Sequence, residues 1–266
     1  MTARIASFRE RVRSRERLLG TFVKTPHPAI VEVLGFAPLD CVVLDAEHAP
    51  FDRGDLDVGL LAARAADLPS LVRVARADAP DLLNALDLGA TGVLVPHVSD
   101  AASAREVAAA CRYGSGSGRG YAGSTRAAAY GTRRMADNLA RANAEVAVIA
   151  QIEDASALHE IDAIAAVDGI DCLFVGRMDL TVSLGAASPA DARVVDAVRE
   201  ICAAARRHGR AVGMFTPTVA EARQWFDAGA SLFLLGSDQQ WVLQGAAALR
   251  NEFERGQADT AAPQSR

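Results

Sequence analysis

The sequence predicts an α/β chain folded as one (β/α)8 barrel. Three observations carry this. Eight short apolar runs recur along the 266 residues, at 19–23, 41–44, 71–74, 92–95, 146–150, 172–175, 211–215 and 232–235. Each run is mostly continuous rather than alternating, the signature of parallel strands covered on both faces. The stretches between them are Ala-rich and amphipathic, so strand and helix alternate.

The helical stretches fall at 81–88, 99–111, 155–166, 191–208 and 219–228. Asp81 after Pro80, Ser99 before Asp100, and Thr218 with Glu221 three residues on are start signals. Gly89, Gly209 and Gly229 follow helix ends as stop signals. The phrase Leu88-Gly89-Ala90 before the fourth strand returns as Ala228-Gly229-Ala230 before the eighth. That regularity favours a closed barrel over a doubly wound sheet. The first strand also lacks a following G-x-G-x-x-G, which weighs against a dinucleotide fold. Residues 1–255 are expected to form the barrel domain and 256–266 a disordered tail. Residues 4–17, with six arginines and two glutamates, read as a solvated helix. The Gly/Ser/Arg-rich stretch 112–134 is long enough to be functional, as a lid or a subunit contact.

Composition narrows the function. Half the residues are hydrophobic, 23% are charged and only 5% aromatic, which gives an aliphatic core and no stacking platform for nucleic acid. A net charge of −5 gives no bulk attraction to nucleic acid or anionic membrane. No apolar run reaches membrane-spanning length and no secretory leader is visible, so a cytoplasmic protein is expected. Cys41, Cys111, Cys172 and Cys202 form no C-x-x-C pair and read as buried reduced thiols.

In such barrels, chemistry sits at the carboxyl ends of the strands. Asp45-Ala46-Glu47-His48-Ala49-Pro50 follows the second strand. Its acids suit a metal or the metal's waters, and its histidine a proton transfer. Arg73 interrupts an apolar strand and must meet an anion, either an ion-pair partner or a developing oxyanion. Gln151 and Glu153 end the fifth strand facing the same way, and Gly176-Arg177-Met178-Asp179 follows the sixth. Glu153 and Asp179 are then two hard oxygen ligands at one rim, suited to Mg²⁺ or Mn²⁺, unless each forms a salt bridge instead. His27 and His97 also stand near strand ends, and a simple hydrogen-bonding role accounts for His97 as well as a place in the pocket does. The single lysine, Lys24, lies just past the first strand at the same rim.

Together these residues resemble the HpcH/HpaI aldolase family of class II pyruvate aldolases. The carrying motifs are Gly20-Thr21-Phe22-Val23-Lys24, Asp45-Ala46-Glu47-His48-Ala49-Pro50, Val72-Arg73, Leu94-Val95-Pro96, Arg112-Tyr113, Arg119-Gly120, Gln151-Ile152-Glu153 and Gly176-x-x-Asp179-Leu180. The resemblance implies the same barrel, and reversible cleavage of a 4-hydroxy-2-oxo acid into pyruvate, or a close 2-oxo acid, and an aldehyde. It implies that Glu153 and Asp179 hold a divalent ion (Mg²⁺ or Mn²⁺, with Co²⁺ a further candidate), with Glu47 reaching it through water. Arg73 would stabilise the enolate oxygen, and His48 with a water would serve the aldehyde hydroxyl. Gln151, Gly176, Met178 and Asp179 would hold the substrate. Asp45 or Asp87 would orient His48. Asp87 sits late in a helix, away from the rim, so its contact would need a neighbouring subunit or an indirect effect. The family also implies a homo-oligomer, a hexamer, with no nucleic acid or membrane partner.

Two departures stand out. Arg177-Met178 replaces a Pro-x pair, and Gly114-Ser115 replaces Pro-Pro. The alternative reading is another lyase, or a decarboxylase, passing through a metal-bound enolate on the same site. A phosphate-binding isomerase fits less well, because Phe215-Thr216-Pro217 stands where a glycine is needed.

Overall fold

The computed structural model describes residues 6–114 and 118–261. Eight parallel strands close in sequence order, β1 (Leu18–Val23), β2 (Cys41–Asp45), β3 (Ser70–Arg73), β4 (Gly92–Val95), β5 (Ala147–Ile152), β6 (Cys172–Val175), β7 (Ala211–Thr216) and β8 (Ala230–Ser237), with β8 pairing back to β1. The helices are α1 (Phe8–Arg13), α2 (Pro28–Gly35), α3 (Arg53–Ala65), α4 (Ala79–Asp87), α5 (Ala101–Ala110), α6 (Met135–Glu145), α7 (Ile161–Ala166), α8 (Arg177–Ser183), α9 (Ala192–Arg207), α10 (Val219–Gln224) and α11 (Asp238–Ala261). This is the single (β/α)8 barrel the sequence predicts.

The apolar runs build two shells. Leu18, Phe22, Val43, Leu71, Leu94, Ile149, Phe174 and Leu232 fill the barrel interior. Val42, Leu44, Val72, Val93, Val148, Leu173 and Val212 alternate with them and pack outward against the helices. Most strand residues are therefore buried on both faces, which explains the unbroken runs. Strand contact is close enough at Gly92 that an added Cβ would lie 2.4 Å from the Ala147 carbonyl oxygen.

The first helix departs from expectation. Phe8 and Val12 of α1 join the interior shell and close the amino end of the barrel. Arg9 is buried with them because its Nε meets both oxygens of Asp171 at 2.9 Å and its Nη1 donates to the Asn143 carbonyl at 2.6 Å. Alternating charge suggested a solvated helix, but only one face of α1 is solvated. Arg4 lies outside the described residues.

The segment after α5 leads through α6 to the amino end of β5, so its described residues lie across the barrel from the carboxyl rim and form no lid over it. It is tied down there: Arg126 donates to the Leu88 carbonyl at 2.9 Å and pairs with Asp57 at 2.6 Å. Ser115 lies outside the described residues. The last helix runs through Gly256 to Ala261, past the point where a disordered tail is expected. One glycine costs a helix only about 1 kcal/mol, and no proline follows before Pro263. Val242, Leu243, Leu249 and Phe253 of α11 are exposed. Among the described residues, no helix is long and apolar enough to cross a membrane.

Cys41, Cys111, Cys172 and Cys202 are all buried and unpaired. Burial pushes the Cys41 and Cys111 thiols up to about 12, and Cys202 up to about 11.

Removing one partner of a buried ion pair strands the other charge. Asp171→Ala is therefore expected to cost about 3–5 kcal/mol of stability, read by urea unfolding. A loss below about 1 kcal/mol would show that the α1 plug contributes little.

Candidate active site

The carboxyl rim is organised by one ion pair. Asp45 ends β2, Arg73 ends β3, and the two are register partners. Arg73 Nε donates to Asp45 Oδ1 at 2.9 Å and Nη2 to Oδ2 at 2.8 Å, a bidentate pair with both side chains buried. The guanidinium also lies 4.6 Å from the centroid of Phe22. Asp45 Oδ1 accepts the backbone N–H of Glu47 at 3.3 Å and of His48 at 3.1 Å, which turns the chain after β2. Lys24 Nζ stands 3.4 Å from Oδ2. Burial pushes the Asp45 carboxyl up, but Arg73, the His48 N–H and Lys24 outweigh it and hold it below the ordinary range.

Asp45 thus engages the His48 backbone rather than its ring. The ring is 55% exposed toward the cavity, with Nε2 3.7 Å from Glu47 Oε2. Glu47 Oε2 also lies 3.3 Å from Arg73 Nε. Burial raises the Glu47 carboxyl; Glu153 adds to this, and Arg73, His48 and His97 oppose it.

Glu153 is buried just past the end of β5. Gln151 Nε2 donates to it, as the shared facing of these two residues predicts. The His97 backbone N–H donates to Glu153 Oε1 at 2.8 Å. His97 has a φ of +54°, a strained conformation for a non-glycine residue, held by that bond and by Nδ1 at 3.1 Å from Asp154 Oδ2. Burial lowers the His97 ring's pKa, but Asp154, Glu153 and Glu47 outweigh it, so the ring is raised overall.

Ligand atoms of Glu47, His97 and Glu153 come within 4.8 Å of one another. This group differs from the expected pair in two respects. Glu47 stands close enough to ligate directly, and His97 joins it. The signal for His97 was its place directly after Pro96 at the end of β4. Asp179 sits in the first turn of α8, exposed, and lines the cavity outside this group.

The cavity, of about 970 Å³, opens at the rim and is lined by Arg73, His48, Gln151, Gly176, Met178 and Asp179. The expected substrate residues therefore share one space. Gly176 lets Glu153 approach: a Cβ there would lie 2.7 Å from Glu153 Oε2. Asp87 is not part of this space. It ends α4 at the amino end of the barrel, where Arg119 lies 3.5 Å away. Burial raises its carboxyl, with Arg119 partly offsetting the effect.

A family model for HpcH/HpaI aldolase/citrate lyase matches residues 18–244. The chain belongs to the HpcH/HpaI aldolase/citrate lyase family. Hydroxypyruvate/pyruvate aldolase of Paraburkholderia phytofirmans is 39% identical over 243 residues, covering 89% of this chain and 93% of that protein. 5-Keto-4-deoxy-D-glucarate aldolase of Klebsiella pneumoniae is 34% identical over 232 residues, covering 87% and 90%. The crystal structure of an HpcH/HpaI aldolase/citrate lyase family protein from Burkholderia cenocepacia superposes with a TM-score of 0.87 at 37% identity, covering 92% of this chain and 98% of that one. Membership in the family makes the carboxyl rim the place to look for carbon–carbon bond cleavage.

Lys24 decides between imine and metal chemistry. A Schiff-base lysine needs dry or cationic surroundings. Lys24 instead faces the Asp45 carboxylate. Lys24→Ala is expected to keep substantial activity, and borohydride with pyruvate to leave the protein's mass unchanged. A reduced pyruvyl adduct on Lys24 would reverse this.

Proposed function

We propose that this protein is a divalent-metal-dependent class II aldolase. It cleaves a 4-hydroxy-2-oxo acid reversibly into pyruvate, or a close 2-oxo acid, and an aldehyde. The observation that carries this reading is that Arg73, fixed by Asp45, and His48 line one cavity, with the acids Glu47 and Glu153 beside its lining residues.

The residues fit a divalent ion. Two carboxylates and an imidazole converge, Glu47 Oε2 is buried without a hydrogen-bond partner among the described residues, and no cysteine is near the rim. Hard oxygen donors suit Mg²⁺ or Mn²⁺, with Co²⁺ also compatible with such a site. We assign Glu153 and Asp179 as ligands, with Glu47 reaching the ion through water. A divalent ion there supplies Lewis acidity toward the 2-oxo carbonyl.

The chain's own groups do the rest. His48, with a water, takes the proton of the 4-hydroxyl. The C3–C4 bond breaks, the aldehyde leaves, and the electron pair passes into the enolate. Arg73 holds a fixed positive charge where the enolate oxygen develops, and Asp45 keeps it from rotating away. Protonation at C3 then gives the 2-oxo acid. Gln151, Gly176, Met178 and Asp179 line the space that holds the substrate carboxylate.

Asp87, at the far end of the barrel, reaches a His48 ring only if a second copy brings it there. The exposed apolar residues of α11 suit such an assembly, and we assign the protein as a homo-oligomer, a hexamer by family resemblance. Buried, unpaired thiols suit a reducing compartment, and we place it in the cytoplasm.

Exhaustive chelation is expected to abolish aldehyde release, and Mg²⁺, Mn²⁺ or Co²⁺ to restore it. Full activity after chelation would end the metal mechanism. In metal analysis, Glu153→Ala and Asp179→Ala should each lose the ion, and His97→Ala should retain it. Retention in Asp179→Ala with loss in His97→Ala would move the site to Glu47, His97 and Glu153.

Arg73→Ala is expected to stop both aldol cleavage and pyruvate proton exchange, a loss of about 3 kcal/mol or more of transition-state stabilisation. His48→Ala should impair cleavage more than exchange, since it acts at the aldehyde hydroxyl. Wild-type rates in Arg73→Ala would remove it from the site.

A further inference from the structure

Three donor groups converge at the rim from three separate strands: Glu47 just after β2, His97 just after β4 and Glu153 just after β5. One ligand atom from each lies within 4.8 Å of the others. Asp179 is not among them; it is exposed in the first turn of α8. The three residues therefore form a group that is complete without it.

His97 is aimed into this group by constraint. Its backbone is left-handed, with a φ of +54°, and its N–H donates to Glu153 Oε1 at 2.8 Å. Non-glycine residues held in such a conformation cluster at functional sites. The two ring nitrogens differ. Nδ1 lies 3.1 Å from Asp154 Oδ2 and 3.4 Å from Glu153 Oε1, so two carboxylate oxygens place the ring proton there. In the neutral ring Nε2 then carries a lone pair, and the nearest acid to it is Glu47 Oε1 at 3.9 Å. Two lone pairs at that separation are too far apart for a direct hydrogen bond. It is the spacing of two donors on one ion, because nitrogen and oxygen bonds to Zn²⁺ of about 2.0–2.2 Å allow up to about 4.3 Å between them. A carboxylate on the far nitrogen is also the arrangement that orients metal-binding histidines.

We infer that Glu47, His97 and Glu153 form a site for a divalent ion that accepts nitrogen, of the Zn²⁺ class, separate from the Glu153–Asp179 pair. One imidazole and two carboxylates leave a fourth position open, and Zn²⁺ takes this donor set readily. Mg²⁺ keeps to oxygen donors and gains nothing from His97. The His97 side chain is 62% exposed, so an ion reaches Nε2 from solvent. The site shares Glu153 with the aldolase reading but stands on its own geometry.

The test titrates metal-free protein with Zn²⁺ against a chromophoric chelator, and separately with Mg²⁺ by calorimetry. Zn²⁺ affinity is expected to fall about a hundredfold or more in His97→Asn, since losing even an outer partner of a metal-binding histidine costs about 10–100-fold. Asparagine tolerates the left-handed backbone, so this variant keeps the turn. Glu47→Gln should lose Zn²⁺ as well and serves as the second variant. Asp179→Ala and His48→Ala should keep it. Zn²⁺ affinity unchanged in both His97→Asn and Glu47→Gln overturns the inference, as does its loss in Asp179→Ala or a wild type that binds no Zn²⁺. Mg²⁺ should show the reverse dependence, needing Asp179 and ignoring His97. Failure of Mg²⁺ to bind, with the Zn²⁺ pattern intact, counts against the metal assignment of the aldolase reading and leaves this site standing.

Discussion

The rim depends on the bidentate contact between Asp45 and Arg73. Two charges are buried at the ends of neighbouring strands, and neither is tolerable there without the other. Once paired they fix much else. The Asp45 carboxylate turns the following loop through two backbone N–H groups and so sets where Glu47 and His48 stand. It also anchors the ammonium group of Lys24. Arg73 in turn is clamped between Asp45 and the Phe22 ring, and its remaining charge faces Glu47. A guanidinium held this firmly would, in the proposed reaction, meet a developing oxyanion without first having to reorient.

Charge balance explains the second half of the site. Glu153 and Asp154 approach His97 at Nδ1 and Glu47 approaches Nε2, and the left-handed backbone at His97 is held by Glu153 and Asp154. Acids placed this close repel one another unless a cation neutralises them. The imidazole and Arg73 supply part of that neutralisation. An added divalent ion would supply the rest, which is why the same arrangement that looks costly in the bare protein is suited to binding.

Most of the barrel was legible because most of its strand residues are buried on both faces and write themselves as continuous apolar runs. The spans of β4 and β6 match those runs, and the others differ by a residue or two at their ends. The pairing of Gln151 with Glu153 was legible from strand alternation. Asp45 could be placed at the rim, but its real partner, the His48 backbone rather than the His48 ring, depends on the path of a tight turn. His97 was legible only as a residue near a strand end, because its neighbours come from β2 and β5 and no local pattern joins them. The burial of Arg9 was equally hidden: its partner Asp171 lies 162 residues away, and a helix rich in alternating charges looks solvated until that partner is seen. The connection 112–134 was legible as a long segment, but which end of the barrel it occupies follows from its position between α5, which runs away from the rim, and α6, which precedes β5, rather than from its composition.

The plug formed by α1 has a consequence for traffic. Phe8 and Val12 close the amino end of the barrel interior, so among the described residues the cavity opens at the carboxyl rim. Molecules that share one door queue by depth. On the proposed reading, a 2-oxo acid held beside Glu153 and Gln151 would lie innermost, with the aldehyde half between it and solvent. In the direction of cleavage the aldehyde would then depart before the 2-oxo acid, and in the direction of synthesis it would arrive second. That order would be set by a helix in contact with neither reactant.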